Sequence, residues 1–339
     1  MRIGIAYDLK TDFKAPESAA LPEDAFEEYD SEETVDAIAA ALRAAGHETV
    51  KLGGGRRFLE RAMKATGIDL VFNIAEGRGS RSREAHVPAA CEILGLPFTH
   101  SDPLTLAVTL DKALTKRIVA SHGVPTAPFA LIEKVEDLDR LELPRFPVIA
   151  KPDWEGSSMG VRKRSRCEDL DALRSTVAGL LRDYQQPVLV ERFLTGAEIT
   201  VGVLGNGAEA KVVGMMEIAP KKGTNESFIY SLEVKRNYLE EVEYHVPPRL
   251  APPERWEVEA VALGAYRALG CRDVSRVDIR LDADGKPFFI EVNPLPGLNP
   301  TTGDLPILAA RSGVPYERLI QRIVENARER LALATPVAV

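Results

Sequence analysis

The feature that most constrains the fold of this 339-residue chain is a pair of short segments, 275–281 and 288–293, joined by a turn-forming stretch. In the first segment, Ser-Arg-Val-Asp-Ile-Arg-Leu, polar and apolar residues alternate as they do on a β-strand with one buried face. Asp-Ala-Asp-Gly-Lys then supplies turn residues, and Phe-Phe-Ile-Glu-Val-Asn brings the chain back. This pattern predicts an antiparallel hairpin within a β-rich second half of the chain.

Oxygen-bearing side chains come together if that hairpin forms. Asp278 shares a strand face with Arg276, and Glu291 shares a face with Asn293 on the returning strand. Carboxylate and amide oxygens suit Mg²⁺ whose remaining ligands are phosphates and water. A solvated charged face is the alternative, but the apolar neighbours disfavour it. A calcium-binding EF loop that starts at Asp282 is excluded, because its twelfth position is Asn293 rather than glutamate.

A glycine-rich turn follows another predicted strand. Residues 146–151 are typical of a strand that ends at Lys151, and the loop after it contains Gly156, Ser157 and Ser158. Such a loop, rich in backbone N–H groups, can enclose phosphates, with the lysine as a positive charge. It is not a Walker A motif, because the lysine precedes the glycines. An ordinary turn between a strand and a helix remains the alternative.

The first hundred residues alternate predicted strands and helices. Strands at 2–7 and 70–74 and helices at 31–45 and 88–94 predict a parallel βαβ sheet. An acidic loop at 12–30 interrupts this pattern and is expected to be exposed.

Composition narrows the functional class. The formal net charge of -8 argues against a nucleic-acid-binding surface. No segment is apolar over the length that a membrane span needs. The three cysteines are far apart, as expected of free thiols in a reducing compartment. We therefore expect a cytoplasmic protein whose partners are small molecules, with neither nucleic acid nor membrane among them.

In this order and spacing, the segments resemble the ATP-grasp superfamily and, within it, the D-alanine–D-alanine ligases. The resemblance runs from about Leu70 to Ala332 and rests on LGLPFTHSDPLTLAVTLDK, KPDWEGSSMGV, VERFLTGAEITV and RVDIRLDADGKPFFIEVNPLPGL. It implies an α/β and α+β architecture, in which an N-terminal parallel βαβ (Rossmann-like) lobe precedes a two-lobed ATP-grasp fold. The implied domains are an N-terminal domain at 1–103, a central lobe at 104–194 and a C-terminal lobe with the metal and catalytic sites at 195–339.

The resemblance also implies roles for matching residues. Glu191 would bind the adenine amine, Glu198 the ribose, and the lysines the phosphates. The residues implied in ATP binding are Lys112, Lys151, Gly156, Ser157, Ser158, Glu191, Phe193, Leu194, Glu198 and Lys235. Two Mg²⁺ ions, for which Mn²⁺ could substitute, would be held by Asp278, Glu291 and Asn293. The implied catalytic residues are Arg276, Ser157, Lys235 and Gly297.

The substrate residues are where this chain departs from the family. Arg276 and Thr302 would bind the carboxylate of the second substrate, with threonine where the family usually has serine. The family's HGxxGEDG loop is replaced by EGRGSRSRE at 76–84, and a lid tyrosine by Arg236. We hypothesise that Arg78, Arg81, Arg83 and Arg236 accept a first substrate more acidic or bulkier than D-alanine. Alternatively, these arginines face solvent or pair with nearby glutamates.

A glutamate that binds the first substrate's amine in the family has no clear counterpart. Glu27 or Glu28 could lie near its place, or it could be absent.

The implied activity is ATP-dependent joining of a carboxylate to an amine through an acyl-phosphate, which gives a dipeptide or similar amide. Amino-acid-like substrates are expected, residues 222–238 would form a lid, and the chain could form a homodimer. The alternatives are a related ligase of a specialised pathway and a nucleotide-binding regulator without turnover.

Overall fold

The computed structural model describes residues 1–12 and 21–333, which form three β-sheets with helices packed against them. Within these residues, no helix combines the length and apolar character needed to cross a membrane. The three cysteines are buried free thiols. The domain divisions after 103 and 194 stay a prediction.

The N-terminal part forms the predicted parallel sheet, with strand order β2-β1-β3. The Ser31 hydroxyl accepts a hydrogen bond from the Thr34 N–H and caps helix α1, whose apolar face packs into the core. Its elements are β1 Arg2–Tyr7, α1 Glu32–Ala44, β2 Glu48–Lys51, α2 Gly55–Ala62, β3 Leu70–Ile74 and α3 His86–Leu94.

The acidic segment does not match its prediction. The part described, 21–30, is not uniformly exposed, because Asp24 is completely buried and Tyr29 is 7% exposed. Residues 13–20 of the same predicted loop lie outside the described residues.

A second, antiparallel sheet has the strand order β4-β7-β5-β6. Asp111 separates two consecutive helices, because it ends the first and its side chain accepts the Leu114 N–H as the N-cap of the second. The elements are α4 Pro103–Leu110, α5 Lys112–Ser121, β4 Phe129–Ile132, β5 Val148–Pro152, β6 Arg166–Cys167, α6 Leu170–Tyr184 and β7 Val188–Arg192.

The third sheet is antiparallel, with strand order β10-β9-β8-β11-β12, and it contains the predicted hairpin. Asp278 lies opposite Glu291 and Arg276 opposite Asn293, as expected from the alternation of the two segments. The elements are β8 Glu198–Leu204, β9 Lys211–Pro220, α7 Leu232–Arg236, α8 Tyr238–Glu241, β10 Val242–His245, α9 Pro252–Ala268, β11 Val274–Leu281, β12 Pro287–Asn293, α10 Asp304–Arg311 and α11 Tyr316–Arg330.

The N- and C-terminal parts share one hydrophobic core. Ile3 and Ile38 of the first sheet layer belong to the same buried cluster as Leu305 of α10 and Ile323 of α11. The end of the chain therefore packs back onto its beginning, which fixes the N-terminal loops relative to the hairpin.

Candidate functional site

A cleft lies between the second and third sheets and contains about 920 Å³ of space, counting its open mouth. Strands β5 and β7 supply one wall, and β11 and β12 supply the other. Nine of the ten residues predicted to bind ATP line it: Lys112, Lys151, Gly156, Ser158, Glu191, Phe193, Leu194, Glu198 and Lys235. We call this space the large chamber.

The tenth predicted residue, Ser157, lines an adjoining smaller chamber of about 620 Å³, again counting the open space at its mouth. Lys112, Gly156, Arg276 and Glu291 line both spaces, so the two chambers meet at these residues. Gly297, also predicted to be catalytic, lies in the smaller chamber.

The glycine-rich loop has an unusual backbone conformation. Ser157 and Ser158 adopt left-handed φ angles of 46° and 59°, which non-glycine residues rarely do. A side chain on Gly160 would place its Cβ 2.4 Å from the Pro152 ring, so only glycine fits there. Strain of this kind is typical of functional loops.

The acidic segment holds this loop in place. The Gly156 N–H donates to Glu28 Oε1 at 2.6 Å, and the Gly160 N–H donates to Asp24 Oδ2 at 3.0 Å. The buried Asp24 carboxylate also accepts hydrogen bonds from the Tyr184 hydroxyl at 2.8 Å and from Arg162 at 2.9 Å. This role was not predicted, because a run of acidic residues in sequence resembles an exposed loop.

A buried charge triad lies beneath the large chamber. The Glu191 carboxylate is 2.6 Å from Lys151 Nζ and 2.7 Å from Lys116 Nζ. Burial alone would raise the pKa of Glu191, but the two lysines lower it to about 2. Lys116 is completely buried and was not predicted from the sequence, although it lies one helical turn after Lys112. Glu191 is predicted to bind the adenine amine. In the structure, its carboxylate forms ion pairs with Lys116 and Lys151.

Three further residues of the large chamber, Phe193, Glu198 and Arg280, contact one another. Arg280 lies 4.5 Å above the centre of the Phe193 ring and donates to Glu198 at 3.1 Å. Burial raises the pKa of Glu198 to about 7, even though Arg280 opposes that shift.

The hairpin brings its three predicted metal ligands onto one face. Asp278 accepts hydrogen bonds from the Thr200 hydroxyl at 2.9 Å and from the Asn293 amide at 3.2 Å. Burial raises the pKa of Glu291, but nearby Lys112 and other cations outweigh it and lower that pKa. Two carboxylates and one amide oxygen form a hard donor set that fits Mg²⁺. Over the described residues, no group of three or more His, Cys, Asp or Glu side chains is placed to hold a metal.

Arg276 lies at the junction of the chambers and is surrounded by acids. Its guanidinium donates to Asp278 at 2.9 Å and lies 3.5 Å from Asp304 Oδ2 and 3.9 Å from Glu291. Asp304 is 7% exposed and was missed by the sequence analysis. Its position as the first residue of α10, two residues after Thr302, was the available signal.

The predicted lid packs against the glycine-rich loop. The Ser158 hydroxyl donates to the Tyr230 carbonyl at 3.0 Å, and the Leu232 N–H donates to the Val161 carbonyl at 3.1 Å. Lys235 lines the large chamber from this lid. The lid therefore closes the chamber over the loop.

The remaining predicted substrate residues do not line either chamber. Arg236 forms an ion pair with Glu27 at 2.5 Å, at the outer surface of the lid. Arg78 is exposed and lines a separate surface cleft. Thr302 is exposed, and its N–H donates to the Asn299 side chain.

Comparisons with known proteins identify related sequences and a related fold. A family model described as the D-ala D-ala ligase C-terminus matches residues 118–325. An uncharacterized protein of Sinorhizobium fredii is 35% identical over 308 residues, covering 87% of each chain. The D-alanine–D-alanine ligase of Bordetella petrii is 35% identical over 292 residues, covering 85% of this chain and 84% of that one. A crystal structure of D-alanine–D-alanine ligase from Bacillus anthracis complexed with ATP has the same fold, with a TM-score of 0.72, 22% identity and coverage of 98% and 100%.

Proposed function

The chain belongs to the D-alanine–D-alanine ligase family of carbon–nitrogen-bond-forming enzymes, and on that basis we propose that it joins a carboxylate to an amine at the expense of ATP. We place ATP in the large chamber and the acyl donor in the smaller one. The amide product would be a dipeptide or a close analogue.

One observation carries the proposal. Lys112 Nζ and Arg276 Nη2 each lie 3.9 Å from the Glu291 carboxylate, where the two chambers meet. A phosphate-binding lysine, a metal-binding carboxylate and an oxyanion-binding arginine thus converge on one point. That arrangement is what transfer of a phosphoryl group to a carboxylate requires.

The reaction would proceed in two steps. A carboxylate oxygen of the acyl donor attacks the γ-phosphorus of ATP, which breaks its bond to the bridging oxygen and releases ADP. The amine then attacks the carbonyl carbon of the acyl-phosphate, loses a proton and expels phosphate as the amide bond forms. Two Mg²⁺ ions, bound by Asp278, Glu291 and Asn293, would neutralise charge on the nucleotide phosphates.

The chain's own residues contribute in distinct ways. Lys112 and Lys151 orient the phosphates, and the Arg276 guanidinium with the Gly297 N–H would stabilise the tetrahedral oxyanion. One such donor is typically worth about 3 kcal/mol, and holding both reactants in place can supply about 7–11 kcal/mol. The lid at 222–238 would exclude water from the acyl-phosphate.

The charges of the smaller chamber disfavour the acidic donor considered above. Four glutamates, Glu28, Glu76, Glu84 and Glu291, outnumber the two cations, Lys112 and Arg276, that line it. Arg78 and Arg236 lie elsewhere.

We expect ADP release that depends on an amino-acid substrate, because the acyl-phosphate forms only when a carboxylate occupies the smaller chamber. A coupled ADP assay with single amino acids and pairs, followed by mass spectrometry of the products, measures this. Nucleotide binding without ADP release for any amino acid would instead indicate a regulator that has lost turnover.

Replacing Glu291 by glutamine should raise the Mg²⁺ concentration needed for half-maximal activity by at least about tenfold. The amide keeps the shape of the side chain but removes a charged ligand. Magnesium titration of ADP release measures the effect, and Glu243→Gln, on the exposed side of β10, is the matched control. Equal titration curves for Glu291→Gln and the unmodified protein would exclude Glu291 as a ligand.

A further inference from the structure

We propose that the smaller chamber selects an acyl donor with a basic side chain, whose ammonium or guanidinium group is bound by Glu76 and Glu84. This inference rests on the proposed function, because it names the substrate class of that same site. It concerns residues of the 76–84 loop, which differs from the family pattern.

Glu84 is a buried carboxylate on the wall of the smaller chamber. It is 8% exposed and lines the smaller chamber together with Glu76. Across residues 1–12 and 21–333, neither side chain forms a hydrogen bond or an ion pair. An isolated buried charge is costly unless a counter-ion accompanies it, so a chamber built this way favours a cation.

The other carboxylates around the two chambers are already paired. Glu28 lies 2.6 Å from Arg83 and accepts the Gly156 N–H, and Glu155 accepts from Gln186 at 2.6 Å. Glu76 and Glu84 therefore differ from the neighbouring carboxylates, which have hydrogen-bond or ion-pair partners among the described residues.

The Arg83 guanidinium is already engaged by other acceptors. It donates to Glu28, to Glu155 at 3.3 Å and to the Trp154 carbonyl at 2.8 Å, and among the described residues no hydrogen bond joins it to Glu76 or Glu84. The charged groups that act on the pair are Glu28, Asp30, Arg83, Lys112 and Glu155. Burial raises the pKa of both carboxyls, and their mutual repulsion raises that of Glu76 further.

The loop backbone explains why the two glutamates face one space. Gly77 adopts a φ of 68°, and a Cβ there would lie 2.2 Å from the Arg83 carbonyl oxygen. Only glycine allows the two ends of the loop to touch, which places residues 76 and 84 beside each other. Two adjacent carboxylates hold either one cation and one proton or two cations. A donor with an α-ammonium and a basic side chain supplies both charges.

Matched donor pairs test this inference. D-Ornithine is compared with D-norvaline, and D-lysine with D-norleucine, because each pair differs chiefly in the terminal charge. We expect kcat/KM for ADP release to be at least about tenfold higher for the basic member. Glu76→Gln and Glu84→Gln should each remove most of that preference and leave KM for ATP unchanged. Glu92→Gln, exposed on α3, should keep the preference.

The pH dependence of donor binding distinguishes direct binding by Glu84 from a purely structural role of this residue. Protons compete with the basic donor, so its affinity should increase as pH rises toward the raised pKa of Glu84, about 8. The neutral member of each pair should show no such increase, and neither should Glu84→Gln.

Binding measurements separate this inference from the proposed function. Calorimetric titration of both members of each pair into the full chain with ADP and Mg²⁺ requires no turnover. Tighter binding of the basic member supports the inference even if no amide forms. Equal or weaker binding of the basic member, or a preference that survives in Glu84→Gln, would overturn it whatever the activity.

Discussion

Replacing Arg276 by lysine should lower kcat by about 10²- to 10³-fold, with little change in KM for ATP. Lysine keeps a positive charge beside Asp278 and Asp304, so the acidic neighbours stay compensated and the fold is expected to survive. A single ammonium group cannot reproduce the planar fork that reaches Asp278 and the developing oxyanion together. Steady-state ADP release at saturating substrates measures the loss, and circular dichroism checks the fold.

Arg280→Lys is the matched control, because Arg280 lies on the same strand but beside Glu198 and Phe193, where we propose that the nucleoside of ATP binds. It donates to Glu198 and covers the Phe193 ring, so its loss should raise KM for ATP and leave kcat largely intact. A pattern in which Arg276→Lys changes only KM for ATP would remove Arg276 from the chemical step.

The hairpin could be predicted because residues close together in the sequence determine it. Alternation with a period of two fixed the strand faces, and a turn of known composition joined the strands. Asp278 and Glu291 therefore had to lie opposite each other once the two segments paired. The strand that delivers Lys151 was predictable for the same reason, although β5 begins at Val148 rather than Phe146.

The contacts between the acidic segment and the glycine-rich loop could not be predicted this way. Asp24 is 136 positions from Gly160, and its other partners, Arg162 and Tyr184, lie at least as far away in the sequence. A run of charged residues in a short segment usually indicates an exposed loop. In this segment, hydrogen bonds to distant residues compensate the cost of burying the Asp24 carboxylate. Long-range pairing of this kind has no local sequence signal.

The charge of the smaller chamber could not be predicted from the local sequence either. The arginines of the 76–84 loop suggested a basic pocket, but Arg83 is paired with Glu28, and Arg78 and Arg236 lie outside the chamber. The charge of the smaller chamber depends on which side chains face into it. The Gly77 turn determines this, and the composition of the loop does not.

Replacing Glu191 by glutamine should destabilise the protein by about 3–5 kcal/mol, because it leaves Lys116 and Lys151 buried without a counter-ion. Guanidinium unfolding without nucleotide, followed by circular dichroism, measures this separately from any effect on ATP binding. The pKa of Glu191 falls from 4.5 to about 2 on folding. Its contribution is therefore present above the unfolded pKa and is lost as pH falls through about 2, and Glu191→Gln should lack that dependence.

A second substitution distinguishes the charge effect from a general loss of packing. Adding Lys116→Met to Glu191→Gln removes one uncompensated cation, so the double variant should recover part of the lost stability. Lys116 also donates to the Thr126 hydroxyl at 2.8 Å, which limits the recovery. Asp139→Ala breaks the exposed ion pair with Arg174 and should leave the unfolding curve unchanged. If Glu191→Gln unfolds at the same denaturant concentration as Asp139→Ala, the triad contributes no net stability, and the role of Glu191 is confined to the nucleotide.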